Sequence, residues 1–213
     1  MRVGAANIGS TSPAGAPILL DNNQMIFNEG DEARYYYRVL AGWVRLYRMR
    51  CNGRRQIIEL QIPGDIFGFE YGAQHTLIGE AIGRTTLERY PRQAIEQLSE
   101  QELDVRRHLV ITLHRSLAAA RNHVLLLGQD SAKERVAAFL ATMARRFNIR
   151  QCGVLELRVG RLDIADYTGL ALETVCRELS IFQREGLIDI LDHRRVKIRN
   201  LKALQSISDG PQQ

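Results

Sequence analysis

The chain has 213 residues, of which 45% are hydrophobic and 25% charged, a balance suited to a soluble globular protein of one or two domains. Its 29 Lys and Arg outnumber 24 Asp and Glu, and the formal net charge of +5 favours an anionic partner without naming it. No apolar run approaches the ~20 residues of a membrane helix, the opening MRVGAANIGSTSPAGAPILL lacks a secretory apolar core, and three cysteines without CxxC spacing exclude a disulfide framework. A cytoplasmic protein with no membrane attachment is expected.

Residues 1–17, rich in Gly, Ala, Ser and Pro, read as a flexible tail. Residues 18–100 carry short strands broken by turn signals. Turns are expected at Asn28 to Asp31, at Asn52 and Gly53, and at Pro63 to Asp65; the second suits a tight hairpin between WVRLYRMR and RRQIIELQI. Many closely spaced strands predict an antiparallel β-roll, so the fold class is α+β. The period changes at Arg92, with a short helix over 93–98 and a long one over 101–128. Along the long helix Val110, Leu113, Leu117, Ala120, Val124 and Leu127 alternate spacings of three and four. That heptad seam, roughly 25 Å long, suits the interface of a homodimer. A single core helix of a monomer is the alternative. Leu109, Thr112, Ser116 and Ala119 form a second stripe able to pack on the chain's own β domain. His108, His114 and His123 on the same helix read as solvated.

Residues 129–207 read as a second domain. Asp130 or Ser131 caps the helix of SAKERVAAFLATMARRF, and GVLELRV over 153–159 reads as a strand. RLDIADYTGLALETVCRELSIFQREG, from Arg161 to Gly186, reads as two short helices about a turn at Gly169. LIDILDHRRVKIRN then forms a hairpin turning near Asp192 and His193, Leu201 to Ile207 add a helical turn, and 208–213 form a polar tail. A hairpin directly after the second helix is the order of a winged helix-turn-helix.

Within the two-helix segment, Ile164, Ala165 and Leu170 are small or apolar where the helices meet. Val175, Leu179 and Phe182 form the buried stripe of the second helix. Glu173, Cys176 and Arg177, at i, i+3 and i+4, share the opposite face. Arg177 can donate two hydrogen bonds to guanine N7 and O6, and Glu173 can accept from cytosine N4. A good bidentate pair contributes about 1–3 kcal/mol of discrimination. The competing reading is a surface i, i+4 ion pair worth a few tenths of a kcal/mol. Thr174, Arg194, Arg195 and Lys197 are candidates for phosphate contact, although charges on a hairpin also protect an edge strand. Arg45, Arg48, Arg50, Arg54 and Arg55 read as surface or partner-contact residues, not as DNA ligands. Cys51 and Cys152 read as quiet. No GxxxxGK[ST], HExxH or GxSxG motif is present, and no enzyme is expected.

From about residue 20 to 207 the order of β-roll, long helix and winged helix-turn-helix resembles the CRP/FNR family of bacterial transcription regulators. The most specific part runs from Gly169 to Arg177. In the FNR branch the recognition helix carries Glu, two spacers, Ser and Arg; Glu173 and Arg177 match, and Cys176 replaces the serine. The CRP branch usually has Arg directly before the Glu, where this chain has Leu172. The resemblance is therefore to the FNR or FixK side, which implies a homodimeric activator that reads inverted TTGA-type half-sites in a palindromic operator and contacts RNA polymerase through exposed β-domain loops. It also implies a cyclic-nucleotide-binding-like β-roll. Yet only Asp65 follows Pro63 and Gly64, and His75 and Thr76 stand where cyclic-nucleotide binders place an Arg-Ser pair. Without that guanidinium no cyclic nucleotide is expected. An iron–sulfur cluster of the FNR type needs four cysteines, and none precedes Cys51. No cofactor or metal is expected, and activity should be effector-independent. Oxidation of Cys176 would place negative charge against the DNA backbone, making it a candidate redox switch. The alternative function is a ligand-binding sensor module acting through protein partners.

Overall fold

A computed structural model describes residues 15–149 and 152–209. Residues 1–14 of the expected N-terminal tail and 210–213 of the C-terminal one lie outside the described residues. The chain divides into two compact units. Of the described residues, one unit comprises those up to Met49 together with Ile57–Ala120; the other comprises Arg50–Gln56 and those from Arg121 onward. Among the described residues no helix is long and apolar enough to cross a membrane.

The first unit is built on antiparallel strands: β1 (Ala16–Leu20), β2 (Met25–Phe27), β3 (Tyr35–Met49), β4 (Arg55–Gln61), β5 (Ile66–Phe67) and β6 (Ile78–Pro91). Their order is β1-β6-β3-β4, with β2 added to β6 and β5 to β3. β1 already includes Ala16 and Pro17, which composition assigns to the tail, because both pair with β6 at Arg89 and Glu88. The two long strands β3 and β6 pair from Tyr35 opposite Pro91 to Tyr47 opposite Ile78, with register shifts between Val39 and Trp43. Gly42 occupies that bulge at φ +80, where a Cβ would strike the Thr85 backbone. Leu20, Phe27, Tyr37, Val39, Val44, Leu46, Phe67, Ala81 and Leu87 fill the core. β3 is buried on both faces from Trp43 to Tyr47. Arg45 is consequently not a surface residue, as its place in an arginine-rich run suggests. It is buried beside Glu80, its cross-strand neighbour, and donates to Asn23 Oδ1 at 2.7 Å.

α1 (Arg92–Gln101) belongs to this unit, as does α2 (Leu103–Leu127) up to Ala120, its last turns from Arg121 counting with the second unit. Ile95 of α1 joins Tyr36 and Tyr90 in a small second core, and Leu109 of α2 packs on it as the second stripe requires.

In the second unit, α3 (Ala132–Arg146) begins with a capping box: Ser131 Oγ accepts from Glu134 N at 3.2 Å, and the Glu134 carboxylate accepts from Ser131 N at 3.3 Å. β7 (Val154–Glu156), β8 (Ile188–Ile190) and β9 (Arg195–Ile198) form a sheet of order β7-β9-β8. β7 ends earlier than 159 because β9 starts at Arg195. Beyond it the chain stays extended, Leu157 N bonds Arg194 O, and Leu157 and Val159 remain buried. α4 (Arg161–Thr168) and α5 (Leu172–Arg184) pack on α3, and α6 (Leu201–Asp209) closes the unit, running two residues past Ile207. Phe139, Leu140, Met143, Ile164, Val175, Leu179 and Phe182 lie in its core.

Candidate nucleic-acid interface

The turn between α4 and α5 is set by Gly169, which caps α4 at φ +70, a conformation that disfavours any side chain. Leu170 N then returns to Ala165 O at 3.1 Å. Val175, Leu179 and Phe182 are at most 1% exposed, which settles the buried face of α5. Its open face carries Glu173, Cys176, Arg177, Ser180, Gln183 and Arg184, all exposed, while Thr174 is half-buried at its side.

No ion pair joins Glu173 to Arg177 among the described residues. The Arg177 side chain, 64% exposed, instead lies with Nε 3.5 Å from the buried Glu178 carboxylate, a long contact at the limit of a hydrogen bond. Glu173 and Arg177 are therefore both exposed and not paired with each other among the described residues. Cys176 sits between them with an exposed thiol, and its carbonyl accepts from Ser180 Oγ at 2.9 Å. Burial holds the Arg161 guanidinium below its ordinary range, and nearby Cys176 counters part of that shift. No periodicity signal links these two residues, which stand on different helices.

The wing is the β8–β9 hairpin. At its tip the Asp192 carboxylate accepts from the backbone N–H groups of Arg194 and Arg195 at 2.8 Å each and from Arg195 Nε at 2.6 Å. Those bonds, led by the one from Arg194, hold the Asp192 carboxyl below the usual carboxylate range. Arg199 is paired with Asp189 at 2.6 Å. Arg194 is exposed and Lys197 half-buried, and neither side chain has an ion-pair partner among the described residues.

The structure also brings to the end of α4 two segments that local patterning does not connect with it. Arg55 Nη2 lies 3.1 Å from Asp166 and 3.6 Å from Asp163. Gln56 Nε2 donates to Asp166 O at 2.8 Å, and Arg54 Nη2 to Leu170 O at 3.3 Å. His123 is buried, not solvated: its ring stacks on Tyr167 at 4.1 Å, and Nε2 bonds Tyr167 O at 2.8 Å. The shift of Arg54 and Arg55 from a generic surface role to contacts with the helix-turn-helix is visible only once the hairpin tip is placed.

Along α2, Leu103, Val110, Leu117 and Val124 recur every seven residues and are 55%, 46%, 49% and 69% exposed. Leu113 is exposed with them, and Ala120 and Leu127 are half-buried. An apolar row this exposed lacks cover among the described residues.

In the β unit the sensor-type positions are internally occupied. Asp65 Oδ2 accepts from Ile62 N at 2.7 Å. His75 is buried in a stack on Phe27, with ring centroids 3.6 Å apart, and its Nδ1 is 3.5 Å from Glu70. Burial pushes the imidazole below its ordinary value, with Glu70 opposing. Glu70 also accepts from Thr76 N and Oγ at 3.1 Å each. Beside His75 and Thr76 an open groove is bordered by Glu29, Glu32 and Arg48, and Arg48 is paired with Glu29 at 2.6 Å. Among the described residues no group of three His, Cys, Asp or Glu is placed to hold a metal ion.

Comparison with known proteins follows the same division. Residues 18–102 match the cyclic nucleotide-binding domain family, and residues 134–207 match the Crp-like helix-turn-helix domain family. The nitrogen fixation regulation protein FixK of Rhizobium meliloti is 38% identical over 184 residues, covering 85% of this chain and 82% of that protein. The transcriptional activatory protein AadR of Rhodopseudomonas palustris is 36% identical over 79% of this chain and 71% of that one. Among solved structures, FixK2 from Bradyrhizobium japonicum aligns with a TM-score of 0.87 at 36% identity, covering 94% of this chain and all of that one.

Proposed function

Since the chain belongs to the CRP/FNR family of DNA-binding transcription regulators, on its FixK-like side, we propose that it activates transcription as a homodimer bound to a palindrome of TTGA-type half-sites. The observation that carries this reading is the open face of α5, where Glu173 and Arg177 are exposed and not paired with each other. Arg177 reads guanine through two donors, and Glu173 accepts from cytosine. Thr174, Arg194 and Lys197 supply phosphate contacts; Arg195 joins them while sharing its guanidinium with Asp192. The exposed row on α2 forms the dimer seam and sets the two recognition helices about 34 Å apart on the duplex. Exposed loops of the β unit contact RNA polymerase, and the protein acts without a small-molecule effector.

Cys176 tunes this activity. Its thiolate attacks an oxygen of peroxide, the O–O bond breaks, hydroxide leaves and a sulfenic acid forms; a second peroxide yields the anionic sulfinate. The resulting anion faces DNA phosphates, so affinity falls.

Retardation of a labelled palindromic TTGA-type duplex tests the reading. Wild type should bind with a strong salt dependence, and Arg177→Ala should bind about ten- to hundredfold more weakly per half-site. Equal binding by Arg177→Ala would remove the base-reading assignment and favour a sensor module that acts on protein partners. Peroxide should weaken wild type but not Cys176→Ser; equal loss in both would take Cys176 out of the mechanism.

A further inference from the structure

A helix of eight residues leaves its last carbonyls without intrahelical partners. In α4 the Ala165 carbonyl is served by the turn itself, through Gly169 and Leu170. The carbonyls that follow are served from far away in sequence. Asp166 O takes Gln56 Nε2, Tyr167 O takes His123 Nε2, and Leu170 O takes Arg54 Nη2. Gln56 is oriented for this task, because its Oε1 accepts from Arg50 Nη2 at 2.6 Å and its amide nitrogen is thereby turned to α4. The hairpin tip that carries these groups is itself closed by Arg50 N to Arg54 O at 2.9 Å and by Asn52 Oδ1 accepting from Arg54 N at 3.1 Å. By its contacts this tip, Arg50–Gln56, is part of the helical unit.

The cluster sits where the direction of α5 is decided. Ala171, the residue before α5, provides no side-chain cap. The leading end of the helix therefore depends on the turn from Gly169 to Ala171, and Glu173 stands three residues beyond the clamped Leu170 carbonyl. The cluster is also a poor device for stability alone. Asp166 is buried, and its carboxyl is pushed above the ordinary range by that burial even with Arg55 beside it. An ion pair bought at such desolvation is often matched by apolar packing of the same volume, whereas directional bonds to three backbone acceptors within five residues define a geometry.

We propose that Arg54, Arg55, Gln56 and His123 are positioning residues for base recognition: through the carbonyls and carboxylates at the end of α4 they set where α5 begins, and so where Glu173 and Arg177 stand against the bases. The proposal rests on the base-reading role of those two residues.

Gln56→Glu is the discriminating variant, since it keeps the size of the side chain and the Arg50 contact but turns an oxygen toward the Asp166 and Tyr167 carbonyls. Anisotropy titrations of the full-length protein should use the palindromic TTGA-type duplex and a scrambled duplex of equal length. Gln56→Glu should bind the palindrome about tenfold more weakly and the scrambled duplex within about twofold of wild type. Amide exchange over Gly169 to Glu173 should speed up. In an Arg177→Ala background the same substitution should have little further effect, because the two act on one recognition event. Gln56→Met, which removes the donor without adding charge, should repeat the pattern if the glutamate variant fails to fold. Unchanged discrimination, or an effect that adds fully to Arg177→Ala, overturns the positioning role while leaving base reading intact. Wild-type discrimination by Arg177→Ala itself overturns the base-reading assignment and the positioning role with it.

Discussion

The β unit and the recognition helix both display charged residues, but they use them in opposite ways. In the β unit several polar groups that a ligand could claim have an internal use. Asp65 caps a turn, Glu70 closes the loop onto Thr76, Arg48 is paired with Glu29, and Arg45 is buried against Glu80. On α5 the reverse holds, because Glu173 and Arg177 are exposed and, among the described residues, the polar contact of Arg177 is a long one to Glu178. Hydrogen bonds already made inside a protein must be given up before a ligand can use them, and buried ones are expensive to leave unmade. On the function proposed above, the contrast lets a binding fold persist as scaffold while recognition concentrates on one short helix.

The contrast would break most completely if the α5 face worked alone. Its contribution is doubled only when two copies are held on one duplex, and joining two such modules raises apparent affinity on the order of 10² to 10⁴ fold. Leu117→Glu places a carboxylate in the middle of the exposed apolar row of α2. We expect this variant to run as a monomer in light scattering and to lose palindrome binding by that factor, with its thermal stability nearly unchanged. A dimeric Leu117→Glu protein would move the interface off this seam.

A paired experiment sharpens the comparison next. Arg45→Met leaves Glu80 buried without its cation, a class of change that destabilises by about 3–5 kcal/mol. Arg177→Ala removes an exposed side chain and should alter stability by less than about 0.5 kcal/mol. Denaturant titrations of the two variants beside their operator affinities should therefore separate cleanly, with Arg45 controlling folding and Arg177 controlling binding. Similar stability losses in both would mean that Arg177 is a structural residue.

Much of this division was legible in the residues. The Asn52–Gly53 turn, the seven-residue apolar row, the break at Gly169 and the face shared by Glu173, Cys176 and Arg177 are local signals, written within one or two turns of chain. What was missed depends on partners far away. Arg45 looked solvated because it stands in an arginine-rich run, and its burial follows from Glu80, which reaches it only when β3 and β6 pair. His123 shares its helix with solvent-facing neighbours, and only the approach of Tyr167 buries it. Gln56 carries no motif; its meaning lies in the carbonyls at the end of a helix some 110 positions later. Periodicity reports which face of an element is apolar, and it is silent on which distant backbone group a side chain will cap.

The smallest effect concerns the internally occupied groove. His75 is buried against Phe27, and that burial lowers its pKa, with Glu70 and Asp31 opposing and Arg92 assisting. In the folded protein the imidazole stays neutral at pH values where the unfolded chain is already protonated. The unfolded state then binds more protons, and stability declines as the pH falls below the ordinary imidazole value near 6.5. Above that value His75 contributes no pH dependence. Melting temperatures measured between about pH 8 and 5.5 should fall more steeply toward acid in wild type than in His75→Gln, which cannot take up a proton. Parallel slopes would show that Glu70 compensates burial fully and that the imidazole can be charged in place. In that case the groove would hold a cation beside the Glu70 carboxylate.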